Sequence, residues 1–274
     1  MPNFATPTVV ISRCIEIDPV RYNGEMVSND FVKKLIPFIT VIPVCPEIEI
    51  GLGTPREALR IIKKDNELKL IQPKTGMDFT EKMNKFAESF LDNLPEIDGF
   101  ILKGRSPSSA LKEAKIYSGP NPGDAVLGKG PGFFGKSVLE KYSHLALEEE
   151  GRLRNPNIKS NFLTKIFTLA KFRKIKKIKS TKEILKFHSE NKLLLKAYNE
   201  KEMRILVFLK SLDDYKSGKI PLSVLTGIFK SWLLRFKDDY LLNQSFFEPY
   251  PIELADIDLM TSYCDGKDYW KNLN

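Results

Sequence analysis

The sequence predicts an α/β protein: a Rossmann-like parallel sheet domain followed by an all-α helical domain. Three observations carry this. Short apolar runs rich in β-branched residues alternate with amphipathic helical stretches through the first half of the chain. The segments with chemically interesting side chains directly follow those runs, where open parallel sheets place their sites. From Ser137 onward the periodicity becomes continuously helical. At 274 residues the chain exceeds the usual size of one domain, which gives two, residues 1–141 and 142–274.

Val9 to Ile11 and Ile39 to Val44 read as short buried strands. Between them, Asp30 to Ile36 has the spacing of a short helix, with Asn29 or Ser28 as its N-cap. Ile61 to Leu70 reads as a hairpin or strand pair around Asp65-Asn66. Asp78 to Leu94 is the clearest helix, with Phe79, Met83, Phe86, Phe90 and Leu94 on one stripe and Asp78 able to cap it. Ile97 to Leu102 is a further buried strand. Residues 118–136 are rich in glycine and proline, and Gly130 to Gly135 formally matches G-x-G-x-x-G. A dinucleotide loop is rejected there, because no strand signal precedes it and Pro131 spoils the tight turn; the segment reads as a loop closing the first domain. Helices are expected at Ile158 to Phe172, Lys182 to Tyr198, Lys201 to Tyr215 and Val224 to Phe236.

Composition is ordinary for a globular protein, 42% hydrophobic and 28% charged. No 18-residue apolar run and no secretory signal is visible. Three cysteines without disulfide-type spacing suggest a reducing compartment, so a cytoplasmic location is expected. The net charge of +8 divides unevenly: residues 1–142 carry +1 and the remainder +7. The densest run, Lys171 to Lys179, interleaves cations with apolar residues, as a helix with a basic face does. Lys171, Arg173, Lys174, Lys176 and Lys177 are the candidate nucleic-acid contacts; a solvated lysine-rich face in a lysine-heavy composition is the alternative.

Cys14 ends the run Thr8 to Cys14. Pro43-Val44-Cys45-Pro46-Glu47 leaves the run Phe38 to Val44 and sets a thiol and a carboxylate two residues apart. Spacing alone is equally consistent with a buried structural cysteine beside a surface glutamate. Cys264 reads as a free thiol. His144 and His188 are the only histidines, which excludes a multi-histidine metal site, and neither G-x-S-x-G nor a P-loop occurs.

Cys14 with Val20-Arg21-Tyr22-Asn23-Gly24, the PVCPE segment with Gly51-Leu52 and Pro55-Arg56, and Leu102-Lys103-Gly104-Arg105-Ser106-Pro107-Ser108 together resemble the thiouracil desulfidase (TudS-like) family. The resemblance covers roughly residues 7–135. Leu147 to Leu153, Asn161-Phe162, Phe187 to Leu195 and Gly218 to Leu222 resemble the helical domain fused to these proteins in RNA-acting (RudS-like) relatives. Where the family's third motif carries Cys-Gly, this chain has Ser109-Ala110.

The resemblance implies a [4Fe-4S] cluster held at three protein positions with one open iron. Those positions are Cys14, Cys45 and, in place of the third cysteine, Ser109, a harder donor than thiolate. It implies Glu47 as the base that activates water, and Ser106 as a residue that bonds the substrate ring or relays a proton. The implied reaction removes sulfur from 4-thiouridine in tRNA, or from thiouracil, giving uridine or uracil and sulfide. The alternative is an RNA-binding protein with a cluster-free desulfidase domain. No nucleotide cofactor and no membrane partner are expected.

Overall fold

A computed structural model of the chain describes residues 4–178, 181–197, 226, 239–247, 249–251 and 254. It divides into two compact units, Thr8–Arg152 and a second made of Met1–Pro7 with Leu153–Asn274. The helix expected at Lys201 to Tyr215, nearly all of that at Val224 to Phe236, and also Lys179 and Cys264, lie outside the described residues.

The first unit is built on a four-stranded sheet in the order β2-β1-β6-β9. Its strands are β1 (Thr8–Ser12), β2 (Thr40–Val44), β6 (Gly99–Leu102) and β9 (Ala146–Glu149), and every pairing is parallel. Val9, Val10, Ile11, Phe100, Ile101 and Leu102 are buried, as expected where helices cover a parallel sheet. Helix α1 (Asp30–Leu35) begins at Asn29, whose Oδ1 accepts the Val32 N–H at 3.1 Å. Helix α3 (Thr80–Asp92) packs its apolar stripe on α4 (Phe133–Tyr142), with Phe86 and Phe90 centred 6.0 and 5.8 Å from the buried Phe134 ring. A one-turn helix, α2 (Pro46–Glu49), follows β2 with Pro46 at its first position.

A second sheet of five strands, β5-β4-β3-β7-β8, lies in the same unit. It contains β3 (Arg60–Lys64), β4 (Glu67–Gln72), β5 (Met77–Asp78), β7 (Ala114–Tyr117) and β8 (Val126–Gly130). The expected hairpin is present, and its turn residues Asp65 and Asn66 both take positive φ, 50° and 64°. That is the conformation a two-residue type I′ turn requires, and Asn and Asp tolerate it.

Three expectations are corrected. The first unit extends past residue 141 to Arg152, because β9 pairs with β6 from Gly99↔Ala146 to Leu102↔Glu149 and completes the sheet. Residues 118–136 are not simply a closing loop, since β8 precedes the glycine run and α4 follows it. The helix expected at Lys182 to Tyr198 is interrupted: α6 (Thr181–Glu190) and α7 (Lys192–Ala197) flank the buried Asn191. The Asn191 side-chain amide donates to the Phe187 carbonyl at 2.7 Å, so side chain and backbone compete for one acceptor.

In the second unit, α5 (Pro156–Ile178) starts at Asn155, whose Oδ1 accepts the Asn157 and Ile158 N–H groups at 2.9 and 3.3 Å. Phe172 of α5 packs against Phe187 of α6, ring centres 5.4 Å apart.

Candidate functional site

Parallel pairing brings four strand ends to one edge. Ser12 pairs with Val44, Ile11 with Ile101, and Leu102 with Glu149, so the residues just beyond all emerge together. Those residues are Cys14, Cys45 with Glu47, the loop 103–111, and Glu150. This is the edge where open α/β sheets concentrate their chemistry. Ser12 ties the first and third of these segments, its hydroxyl accepting the Lys103 N–H at 2.9 Å.

Neither Cys14 nor Cys45 is in a disulfide; Cys45 is buried and Cys14 partly so. Burial pushes the Cys14 thiol up to about 12, and the neighbouring Cys45 adds to the rise, while Lys103 acts against it. Burial likewise raises Cys45, opposed by the Ile48 N–H and by the Arg56 guanidinium. Each thiol is therefore held neutral unless something that binds thiolate displaces the proton. Cys45 Sγ lies 4.0 Å from both the Val20 carbonyl oxygen and Arg56 Nη2.

Glu47 lies two residues after Cys45, at the second position of α2, and is locked on both oxygens. Arg56 Nε and Nη2 donate to its Oε2 at 2.8 and 2.7 Å, and Ser108 Oγ donates to its Oε1 at 2.8 Å. The two charged side chains are only 6% and 12% exposed, Arg56 and Glu47 respectively. Arg56 also donates from Nη1 to the Val20 and Gly53 carbonyls. The guanidinium thus joins the loop after Cys14 to the helix after Cys45.

The third segment turns sharply at Arg105, whose φ of 62° is unusual for a residue with a side chain. Ser106 Oγ then accepts the Ser108 and Ser109 N–H groups at 3.2 and 3.1 Å and shares a 2.9 Å bond with Ser108 Oγ. Ser108 and Ser109 are buried, and among the described residues no hydrogen bond engages the Ser109 hydroxyl.

Glu148 and Glu149 end β9, Glu150 follows it, and all three are buried. Glu150 accepts the Gly104 N–H and the Lys103 ammonium, both at 2.6 Å. Glu149 Oε1 accepts the Leu111 and Lys112 N–H groups at 2.7 and 3.1 Å. Glu148 pairs with Arg152. On the loop's other side, the Gly132, Phe133 and Gly135 N–H groups at the start of α4 donate to the carbonyls of Ala110, Pro107 and Ser108. The glycines are there for backbone contact: a Cβ at Gly132 would lie 2.5 Å from the Ser108 oxygen, and one at Gly135 2.1 Å from the Ala110 oxygen. The helix start that a nucleotide would need is thereby occupied by the protein's own backbone.

Of the residues singled out from the sequence, Cys14, Cys45, Glu47, Ser106 and Ser109 gather at this edge. Sequence reasoning missed Arg56, Ser108, Lys103 and the Glu149–Glu150 pair as parts of it. Arg56 and Ser108 lie inside the quoted motifs, but nothing local marks them as partners of Glu47. Among the described residues no group of three His, Cys, Asp or Glu side chains is arranged to hold a metal ion; the third position here is a serine.

The basic residues belong to the second unit, on α5. Lys174, Lys176 and Lys177 are exposed. Lys171 pairs with Glu190 at 2.8 Å, and Arg173 donates to the Thr6 carbonyl at 3.2 Å. No helix among the described residues is long and apolar enough to cross a membrane.

Residues 9–150 match the family described as 2-thiouracil desulfurase, and residues 195–251 match a family described as a protein of unknown function (DUF1722). An uncharacterized protein of Bacillus subtilis (strain 168), YbbK, is 32% identical over 129 residues, 44% of this chain and 84% of the relative. The solved structure of a [4Fe-4S]-dependent thiouracil desulfidase, TudS, aligns over 54% of this chain and 94% of its own at 23% identity, with a TM-score of 0.41. The family match spans more than half of the chain, from inside β1 to the end of β9 where the site is built, and so the chain belongs to the 2-thiouracil desulfurase family.

Proposed function

We propose that the Thr8–Arg152 unit is an iron–sulfur-dependent desulfidase acting on 4-thiouridine in tRNA or on free thiouracil. Water replaces sulfur at the thiocarbonyl carbon, giving the carbonyl product and sulfide, with no net oxidation. The observation that carries this reading is the arrival of Cys14 and Cys45, at the ends of two paired parallel strands, at the edge where a doubly anchored carboxylate stands.

The donor set suits such a cluster at two positions and departs from it at one. Cys14 and Cys45 supply soft donors whose protons metal binding would displace. Ser109 supplies a hydroxyl that no hydrogen bond among the described residues engages, though oxygen binds iron–sulfur clusters less well than thiolate. Cys14, Cys45 and Ser109 would hold the group, which when bound offers a soft Lewis acid to the substrate's sulfur. Glu47 presents its carboxylate as the base that takes a proton from the attacking water. Arg56 fixes it in place through two hydrogen bonds, and the low exposure of the pair limits competing solvent. Ser106 is the hydroxyl expected to bond the ring or relay a proton. The cationic stretch Lys171 to Lys177 is the part of the chain expected to meet tRNA phosphates.

Anaerobic reconstitution of the native chain and of Ser109→Cys tests this. The expected outcome is a brown protein with broad blue absorbance, more iron and sulfide per chain in Ser109→Cys, and faster uridine formation from 4-thiouridine. Replacing Lys174, Lys176 and Lys177 by glutamate should weaken tRNA binding and flatten its salt dependence while sparing turnover of free thiouracil. If neither chain ever carries iron, the desulfidase reading falls. The reading favoured by Ser109, an RNA-binding protein on a cluster-free sheet domain, then takes its place.

A further inference from the structure

Glu47 and Ser106, the two residues with proposed roles in the reaction, do not touch; Ser108 stands between them. Ser108 Oγ is 2.8 Å from Glu47 Oε1 and 2.9 Å from Ser106 Oγ. The direction of each bond follows from counting protons. A carboxylate paired with arginine only accepts, so the Ser108 hydroxyl proton points to Glu47. Ser108 Oγ then has only lone pairs to offer Ser106, so the Ser106 proton points to Ser108. Ser106 Oγ meanwhile accepts two backbone N–H groups, from Ser108 and Ser109. Both its lone pairs and its one proton are committed.

We infer that Ser108 is a positioning residue that couples Ser106 to Glu47, making the two one hydrogen-bonded unit whose fixed end is Arg56. The inference deepens the proposed function and rests on it for the roles of the two ends. Ser106 can reach a substrate only by giving up a bond within this chain, and any displacement of the Glu47 carboxylate is passed to Ser106 through one hydroxyl. The chain also links the three motif segments: Arg56 spans the first two, and Ser108 joins them to the third. Burial strengthens each link, since Ser108 is 1% exposed and in low dielectric such bonds polarise one another.

The test uses the full chain, loaded anaerobically, with free thiouracil. Ser108→Ala should lower kcat by about ten- to a hundredfold, the usual range for losing a hydrogen bond to a charged group. KM should stay within about twofold, since the bond orients a base rather than holding substrate. Ser108→Thr, which keeps the hydroxyl, should recover most of the loss. Ser106→Ala and Ser108→Ala together should cost no more than the worse of the two alone, as expected for residues acting as a unit. A readout independent of turnover is the infrared antisymmetric carboxylate band of Glu47, assigned by its loss in Glu47→Gln. That band should shift in unloaded Ser108→Ala and return towards its native position in Ser108→Thr. An unmoved band, or fully multiplicative effects in the double variant, overturns the coupling. If the native chain is inactive even when loaded, the desulfidase reading fails, and the infrared measurement on folded, unloaded protein still decides the coupling.

Discussion

The loop that follows β1 and the loop that follows β6 each deliver one proposed ligand, Cys14 and Ser109, yet they are held in opposite ways. The first, residues 14–28, is largely at the surface: Tyr22 and Met26 are 46% and 45% exposed. Beyond Arg56, which donates to the Val20 carbonyl, it is held largely by short-range bonds of its own, with Val27 N donating to Cys14 O, Gly24 N to Arg21 O, and a bridge between Ile15 and Val27. The third-motif loop is buried from Ser108 to Leu111 and is gripped from two sides, by Glu149 and Glu150 at the end of β9 and by the first N–H groups of α4. The loop without a cysteine is thus the one whose shape depends least on a ligand. A serine can stand at position 109 without costing the protein its fold, because carboxylates and helix ends, not a metal–sulfur bond, keep that segment in place.

The sharpest way to break this comparison is Gly135→Ala. In an ordinary helix the change would gain about 1 kcal/mol. Here the added carbon would fall 2.1 Å from the Ala110 oxygen and push the gripped loop off its helix. A loss of about 3 kcal/mol is expected from the overpacking, seen as a fall in melting temperature of about 6–12 °C for a unit of this size. A stability unchanged or increased would mean that α4 does not grip the loop.

A second experiment sharpens the contrast at Cys14. Its thiol sits near 12 in the folded chain, above the ordinary value of 9.0, so between those pH values the unfolded chain has released a proton that the folded chain still holds. Stability from this group is complete below pH 9 and is lost as pH rises towards 12. The unloaded native chain should therefore lose about 1–2 kcal/mol more across that window than Cys14→Ala, after allowing for the thiol's partial exposure. Thermal unfolding of both proteins at matched pH measures it; parallel curves would place Cys14 in open solvent.

The smallest expected effect is at the surface loop. Arg13 Nε and Asp18 Oδ2 meet at 2.6 Å with both side chains well exposed. Asp18→Asn should change stability by no more than about 0.5 kcal/mol, and urea denaturation should show it as a negligible shift in midpoint. A larger effect would show that the Arg13–Asp18 pair, and not only Arg56, holds this loop.

What the sequence made legible tracks how local the cause is. The strands β1, β2 and β6 announce themselves by apolar β-branched runs, α3 by its aromatic stripe, and the β3–β4 turn by Asp65-Asn66, all properties of neighbouring residues. Strand β8, Val-Leu-Gly-Lys-Gly, has two glycines and stays largely exposed, so nothing in its composition separates it from a loop; only pairing with β7 makes it a strand. Strand β9 was hidden differently. Its Glu148 and Glu149 look like a solvated helix start, whereas both are buried and their carboxylates are spent on Arg152 and on the third-motif backbone. The candidate site follows the same rule: the thiols and Glu47 stand out by residue type, but Arg56 and Ser108 matter through contacts over gaps of 9 and 61 residues.

The parallel order β2-β1-β6-β9 carries a consequence for biogenesis. The sheet edge draws on residues from Cys14 to Glu150, and its last strand to be synthesised lies beside the third, so no shorter nascent segment contains the finished edge. Long-range parallel pairing is slow to form because loop closure must precede its reward. The two thiols therefore emerge from the ribosome well before the carboxylates that fix the loop opposite them, and remain accessible to oxidants in that interval. A cluster held at Cys14, Cys45 and Ser109 as proposed would find its third position settled only once the strand Ala146–Glu149 has paired with β6 and its glutamates have fixed the loop 103–111.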